Sequence, residues 1–497
     1  MSSPSVEVED PHFAHRWLIL GVIAIAQLLV ILDATIVNIA LPSAQADLGF
    51  SNNSRQWVIT AYALAFGSLL LLGGRVADLF GRKRAFITGL IGFAAASGLG
   101  GAAPNFGTLI TARALQGAFG ALLAPAALSL LATTFLDPKE RAKAFGIFGA
   151  IAGAGGAVGL LLGGVLTEWL DWRWCLYVAL VFALPAAAAA TRLLHPPAAG
   201  VRPKLDLLGT GLATTGLLAL VYGFARAETE GWSDGITLFM FVACVVLLSS
   251  FVVWQRRAPQ PLLPIRIIVD RDRAASYLGM LIGGVGIFGV FLFITFYMQS
   301  EETLGFSPVM TGVAFMPLNL SVVTTAVLVS TRVLAKTGPR PLMPLGMLFA
   351  AAAMGWFTQL EPHSSYAAHI LPSLIALGIG MGLIFAPAFV GATSGVAPQD
   401  SGVASAMVNT SQQVGGAIGT ALLSTIAASA GSSYLDGHAG AITAAQVHGY
   451  TVAFGVSAGI FVLGSIITAS LLRSGVPASL LQRGHGADTD AVPAVAH

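Results

Sequence analysis

Leu29-Val30-Ile31-Leu32-Asp33-Ala34-Thr35-Ile36-Val37-Asn38 lies inside an apolar run, residues 17–41, that is interrupted by a single acid. A helix needs about 20 apolar residues to cross a bilayer, and this run satisfies that rule. Working outward from it, the same rule finds thirteen more: 57–73, 85–103, 107–134, 144–166, 173–193, 207–225, 236–254, 274–298, 307–331, 342–360, 367–393, 402–430 and 448–472. The whole chain has that character, since 56% of its 497 residues are hydrophobic and 10% are charged. Soluble domains carry about 25% charged residues. So much apolar surface has no hiding place in a water-soluble fold, and the solvent is therefore lipid. The sequence predicts an all-α polytopic membrane protein with 14 transmembrane helices. A net charge of +2 does not point to nucleic acid. Cys175 and Cys244 both lie in apolar runs, which implies neither a disulfide framework nor a metal site.

Charge sorting sets the orientation, because cytoplasmic loops collect Lys and Arg. With the N-terminus in the cytoplasm, only Arg55, Arg173 and Arg226 of the 25 basic residues fall outside, and Arg113 falls within a span. The cytoplasmic side then holds Arg82-Lys83-Arg84, Lys139/Arg141/Lys143 and Arg266/Arg271/Arg273, while Glu168, Asp171, Glu228, Glu230, Asp234, Glu301 and Glu302 face outward. Both termini are expected in the cytoplasm, with residues 1–16 as a polar start and 476–497 as a disordered tail.

The chain also repeats itself at an offset of roughly 260 residues. Leu48-Gly49-Phe50-Ser51 recurs as Leu304-Gly305-Phe306-Ser307, and Arg75-Val76 with Gly81 recurs as Arg332-Val333 with Gly338. Ala124-Pro125-Ala126 returns as Ala386-Pro387-Ala388, and Gly155-Gly156-Ala157-Val158-Gly159 as Gly415-Gly416-Ala417-Ile418-Gly419. These matches pair spans 1–6 with spans 9–14, a 6+2+6 plan of two pseudo-symmetric six-helix halves. The expected parts are an N-terminal half at 17–194, a linker with two inserted helices at 195–273, and a C-terminal half at 274–475. Two parallel halves with a site between them is a transporter arrangement.

Asp33 is the one acid deep in a span, and an ionised carboxylate there is disfavoured by roughly 3 kcal/mol or more unless it meets a cavity or a partner. It reads either as a group that takes up and releases a proton or as a structural acid bound to a neighbouring helix. Arg113 lies about 9 Å inward from its span end and Asp33 about 12 Å from its own, by a rise of 1.5 Å per residue. The matched depths place both on a common polar path, while the alternative for Arg113 is snorkelling to the interface. In the loop Gly74–Arg84, Asp78 is placed to pair with arginines as a latch between conformations, or Arg82 to Arg84 simply anchor topology. Gly149, Gly153, Gly156, Gly159, Gly163 and Gly164 on span 5 allow close helix packing or bending. Asn38, Gln116, Asn409, Gln412 and Gln413 are candidates for the substrate path or for hydrogen bonds between helices.

At these residues the chain resembles the major facilitator superfamily, and within it the fourteen-span drug:proton antiporters of the EmrB/QacA type, over roughly residues 15–475. Gly74–Arg84 is similar to the superfamily's cytoplasmic loop signature G-x-L-A-D-R-x-G-R-K/R, with Leu79 where a basic residue is usual. Leu32–Pro42 resembles the family's first-span signature, and Trp172-Arg173-Trp174 also fits. Arg113, Gln116, Gly117 and Gly120 resemble the fourth-span motif, whose arginine the family implicates in proton coupling. Gly149 to Gly164 resembles the fifth-span antiporter motif, which is associated with export, with Leu160 where a proline is usual.

The resemblance implies proton-coupled efflux of small amphipathic or cationic compounds by alternating access, with Asp33 and Arg113 coupling the proton and Gly74, Asp78, Gly81, Arg82 and Arg84 as the latch. Its implied partners are a small-molecule substrate, protons and the lipid of a bacterial plasma membrane, with no cofactor beyond the proton gradient. A dedicated exporter of one metabolite is the nearest rival, and an uptake symporter fits the span 5 glycines less well. An enzyme is not expected: no His/Asp/Glu metal cluster and no Ser/His pair sits within the spans.

Overall fold

A computed structural model of the chain describes residues 15–52, 54–135, 138–194, 206–259, 261–396, 401–438 and 440–473. Seventeen helices follow one another among these residues. The first six are α1 (Arg16–Leu48), α2 (Trp57–Phe80), α3 (Arg82–Gly101), α4 (Phe106–Thr134), α5 (Pro138–Trp169) and α6 (Trp174–Leu193). Then come α7 (Leu207–Glu230), α8 (Gly235–Gln255), the short α9 (Ile265–Val269) and α10 (Arg271–Gln299). The stretch expected as one helix at 307–331 is divided into α11 (Pro308–Ala314) and α12 (Met316–Leu328), and a π-helical turn at Val329–Val333 leads into α13 (Leu334–Thr337). The remainder are α14 (Pro339–Phe357), α15 (Leu371–Thr393, entered by a π turn at Tyr366–Ile370), α16 (Ser401–Gly437) and α17 (Ile442–Leu471).

Helix therefore stands at every stretch expected to cross. Among the described residues, ten helical stretches are long and apolar enough to span a membrane, with Pro308–Val333 counted as one; α3 and α14 are not among them, and the apolar parts of α2 and α5, Trp57–Leu70 and Gly155–Trp169, are shorter. Local chemistry sets the ends. Asn105, Asp206, Asp234, Asp270 and Ser307 each accept a backbone N–H of the helix they open, which satisfies donors that a helix start leaves unpaired. Gly49 closes α1 in the left-handed conformation at φ 66°, a region open to glycine at little steric cost. Gly305, its repeat partner, has φ 59°, and the repeat partners Gly81 and Gly338 have φ 90° and 70°.

The repeat reappears in the packing. α1 packs on α5 and α6, α2 on α4, and α3 on α4 and α6. In the same pattern α10 packs on α16 and α17, α12 on α15, and α14 on α15 and α17. α7 and α8 form a hairpin against α2 and α16, with α8 on the outside, where Phe239, Val242 and Val245 are more than half exposed. At the hairpin turn Arg226 Nε donates to Asp234 Oδ2 at 2.8 Å, and that bond leads in holding the Asp234 carboxyl down to about 2.

Arg16 pairs with Glu140 at 2.8 Å, and the Arg473 backbone N–H donates to Asp272 at 2.8 Å, so each terminus is tied to a helix start at one end of the bundle, here the terminal end. The apolar core is unequal along the bundle axis. At the far end one continuous cluster joins both sets of helices, running from Ile36, Ile39 and Leu41 to Val290, Phe293, Phe315 and Phe454. At the terminal end the cores are separate: one around Ile23, Phe86, Phe93 and Phe135, the other around Tyr277, Met343 and Ala388.

Residues 1–14, the tail from 474 and the linker 195–205 lie outside the described residues, as do the side chains of Asp78 and of Gly149 and Gly153.

Candidate functional site

α1, α2, α3 and α4 close around one buried polar cluster. Asp33 on α1 and Arg113 on α4 are each 2% exposed, and Gln116 and Ser97 are fully buried. Arg113 Nη1 donates to Asp33 Oδ2 at 2.6 Å and to Gln116 Oε1 at 2.9 Å. Gln116 Nε2 donates to Asp33 Oδ1 and to Ser97 Oγ, both at 2.8 Å. Gln116 follows Arg113 by three residues, so both side chains leave the same face of α4. The guanidinium is held from its other side as well: Nε donates to the Val58 carbonyl at 3.0 Å, and its carbon lies 4.6 Å from the Tyr62 ring centre. That reach depends on Gly117, where a Cβ would collide with the Tyr62 carbonyl oxygen and push α4 away from α2.

Arg113 thus points into the bundle and does not reach for the interface. Asp33 has both carboxylate oxygens committed, one to a cation and one to an amide. In a low-dielectric interior such an arrangement is stable only while each charge keeps its partners. A proton arriving on Asp33 removes the charge that binds Arg113, so the contact between α1 and α4 depends on the charge state. Ser97, Tyr62 and the Val58 carbonyl are absent from the sequence-based site. A lone hydroxyl or ring in an apolar run carries no signal of what it will face.

The α5 glycines divide into two faces. Gly155, Gly159 and Gly163 lie on α1, and a Cβ at Gly163 would sit 2.9 Å from the Ile36 carbonyl oxygen. Gly164 faces the other set of helices, 2.6 Å from the Pro308 carbonyl oxygen by the same measure, and Gly156 lies near Asn319. At the terminal end Gly81 turns α2 into α3; Arg84 is exposed and Arg82 partly buried. The Asp78 half of the expected latch falls outside the described residues.

The remaining path candidates lie elsewhere. Asn38 Nδ2 donates to the Ala34 carbonyl at 2.9 Å, while its buried Oδ1 has no partner among the described residues. Gln413 packs over Gly67 where α16 meets α2, the Gln412 carbonyl abuts Gly284 on α10, and Asn409 is exposed. No hydrogen bond among the described residues joins these α16 side chains to the Asp33 cluster. At the far end, Gln299 Nε2 donates to the Ile39 carbonyl at 3.1 Å and the Val309 N–H to Glu168 at 2.9 Å, tying the two sets of helices together.

A family model described as Major Facilitator Superfamily matches residues 23–420. The puromycin resistance protein pur8 of Streptomyces alboniger is 50% identical, covering 95% of this chain and 94% of its own length. The cephamycin export protein CmcT of Amycolatopsis lactamdurans is 39% identical over 81% of this chain and 83% of its own. The tetracenomycin C resistance and export protein of Streptomyces glaucescens is 34% identical over 83% and 76%. Among solved structures, a bacterial homolog of the human lysosomal transporter Spinster, in an inward-facing and unoccupied conformation, superposes with a TM-score of 0.64 at 16% identity, covering 92% of this chain and 96% of its own.

Proposed function

The chain belongs to the Major Facilitator Superfamily, and from that premise we propose that it is a proton-driven exporter of antibiotic-class small molecules, of the fourteen-span antiporter type, working by alternating access. The observation that carries the coupling is the buried Asp33–Arg113–Gln116–Ser97 cluster, whose helix-to-helix bonds change with the charge on one carboxylate. Export of an antibiotic rests on relatives whose names concern puromycin, cephamycin and tetracenomycin.

In this reading the terminal end is cytoplasmic and both termini lie there, in keeping with the basic side chains of Arg82, Lys83, Arg84, Arg271 and Arg273 at that end. Two six-span halves, α1–α6 and α10–α17 with α11 to α13 making one span, rock about a shared path, with α7 and α8 as an inserted hairpin; the recurring helix neighbours support that division. The continuous core at the far end and the separate cores at the terminal end fit a form open to the cytoplasm. Substrate enters there, and the turnover that releases it outside brings a proton inward through Asp33. One charge moving across 100 mV supplies about 2.3 kcal/mol. The chemistry is transport, with no cofactor beyond the gradient.

A second reading, a dedicated exporter of one compound, is favoured by the single compound in each of those relatives' names. Two measurements test the proposal and divide the readings. In inside-out vesicles, adding puromycin is expected to release protons and collapse part of an imposed pH gradient. In an efflux-deficient host the chain should raise puromycin tolerance, and a panel of unrelated cationic drugs then separates one substrate from many. Absence of both effects across the panel would overturn export.

A further inference from the structure

Away from the Asp33 cluster, a cavity of about 590 Å³ opens at the far end, between the α1–α2 connection, the tip of the α7–α8 hairpin and the far ends of α16 and α17. Its volume is that of a site for a drug-sized molecule. Arg55, Trp232, Phe293, Ser424, Gln446 and Tyr450 are among its lining residues. The lining is mostly small and hydroxylic with a few aromatic rings, and among the described residues it holds no carboxylate; Arg55 is its one charged side chain. Arg55 is 9% exposed. Its guanidinium donates to the Tyr450 hydroxyl at 3.0 Å and lies 3.9 Å from the Phe296 ring centre, and no acid pairs with it among the described residues. Phe293 stacks on Tyr450 with ring centres 5.0 Å apart, which fixes the phenol that Arg55 reaches. The Ser424 hydroxyl and the Gln446 amide line the same space and make no hydrogen bond among the described residues.

A buried guanidinium has five N–H donors and strongly prefers a planar anionic acceptor. Here it has one phenolic acceptor and a ring face, and it borders a cavity wide enough for a ligand. We propose that this far-end cavity is a second binding site, for an amphipathic anion whose carboxylate or phosphate pairs with Arg55 while its apolar body lies against Trp232, Leu435 and Ile442. Arg55 also links the two sets of helices, since it precedes α2 while Phe296 and Tyr450 lie on α10 and α17. An anion that draws the guanidinium from Tyr450 loosens that link, so occupancy favours opening of the far end. The anion has two possible sources, a small aromatic carboxylate or an anionic phospholipid headgroup entering beside the exposed hairpin. The site follows from the cavity and its lining alone, and a failed transport assay leaves it standing.

Thermal unfolding of the purified full-length chain in neutral detergent tests it, because a ligand that binds only the folded state raises Tm. The probes are 1-naphthaleneacetate, short-chain phosphatidylglycerol and, as the cationic control, 1-naphthylethylamine. At least one anion should raise Tm in a saturable way and the amine should not; a shift with the naphthalene carboxylate alone points to small carboxylates and a shift with the lipid alone to headgroups. Arg55→Gln should weaken anion binding about tenfold to a hundredfold, the range for a charge-assisted hydrogen bond, and Arg55→Lys should recover part of it. Ala428→Phe, which fills the cavity from a partly exposed position and leaves Arg55 in place, should abolish the shift in a protein that still folds. Equal shifts with the amine, no shift with either anion, or undiminished anion binding in Ala428→Phe would each overturn the site.

Discussion

Replacing Asp33 by Asn removes one charge and almost no volume, yet the cluster has no good answer to it. The carboxylate accepts from Arg113 Nη1 through one oxygen and from Gln116 Nε2 through the other, at 2.6 and 2.8 Å. An amide has a single oxygen, so whichever way the new side chain is turned, a donor faces a donor. Flipping the Gln116 amide does not help, because its Nε2 would then face Arg113 Nη1. One buried donor is left unsatisfied at about 1–3 kcal/mol, and Arg113, 2% exposed, loses its counter-charge. Breaking a buried pair from one side costs about 3–5 kcal/mol in all. Asp33→Asn should therefore lower Tm clearly in detergent and abolish drug-dependent proton release in inside-out vesicles. The combined change Asp33→Leu, Arg113→Met and Gln116→Leu removes the charged and amide groups together, so that only the Ser97 hydroxyl and the Val58 carbonyl lose a side-chain partner, and should recover most of the lost stability without restoring proton release. Exchange of drug for protons at the unmodified rate by Asp33→Asn, or a triple variant less stable than the single one, would refute this role for the cluster.

Other outcomes follow from the packing and the loops. Gly164→Ala places a methyl 2.6 Å from the Pro308 carbonyl oxygen between the two sets of helices, whereas Gly21→Ala meets nothing within 4 Å; transport and Tm should fall in the first and hold in the second. Gly117→Ala should act on the site from a distance, since pushing α4 from α2 breaks the Arg113 bond to Val58; proton release should fall more than expression does. At the hairpin, the Asp234 carboxyl is depressed from 3.8 to about 2, so the Arg226 tie is intact above the ordinary carboxylate range and is lost as pH falls through about 2. Pepsin cleavage at the hairpin turn should stay slow at pH 4 and accelerate toward pH 2, and Arg226→Gln should shift the onset upward.

Much of this was legible in the residues because a bilayer imposes a simple rule: apolar length sets where helices form, and each of the expected runs is helical. The interrupted stretch from Pro308 to Val333 was not legible, since breaks and π turns arise from packing against neighbours and apolar composition is blind to them. Asp33 and Arg113 stood out because buried charge is rare in lipid, and their similar depths allowed a meeting that the helix arrangement brings about. Ser97 and Tyr62 could not be found that way, because a hydroxyl in an apolar run costs little and draws no attention. By charge alone Arg55 is one of the few basic residues expected outside; nothing in its neighbours along the chain tells that Phe296 and Tyr450, more than 200 residues away, enclose it.

The single core at the far end and the divided cores at the other have a calorimetric consequence. In the proposed alternating access, parting the two sets of helices at the far end, where Leu160 of α5 lies against Gly312 of α11, exposes apolar surface to water, and that exposure carries a positive heat-capacity change. We infer that the opposite closure, between the two separate cores, recovers less, since the terminal end holds no continuous apolar cluster to match that of the far end. The equilibrium between the two forms is therefore curved in temperature, and because apolar burial weakens on cooling, chilling should move the population toward the form open at the far end. A transporter built this way would carry a built-in thermometer, set by the uneven division of hydrocarbon between its two ends.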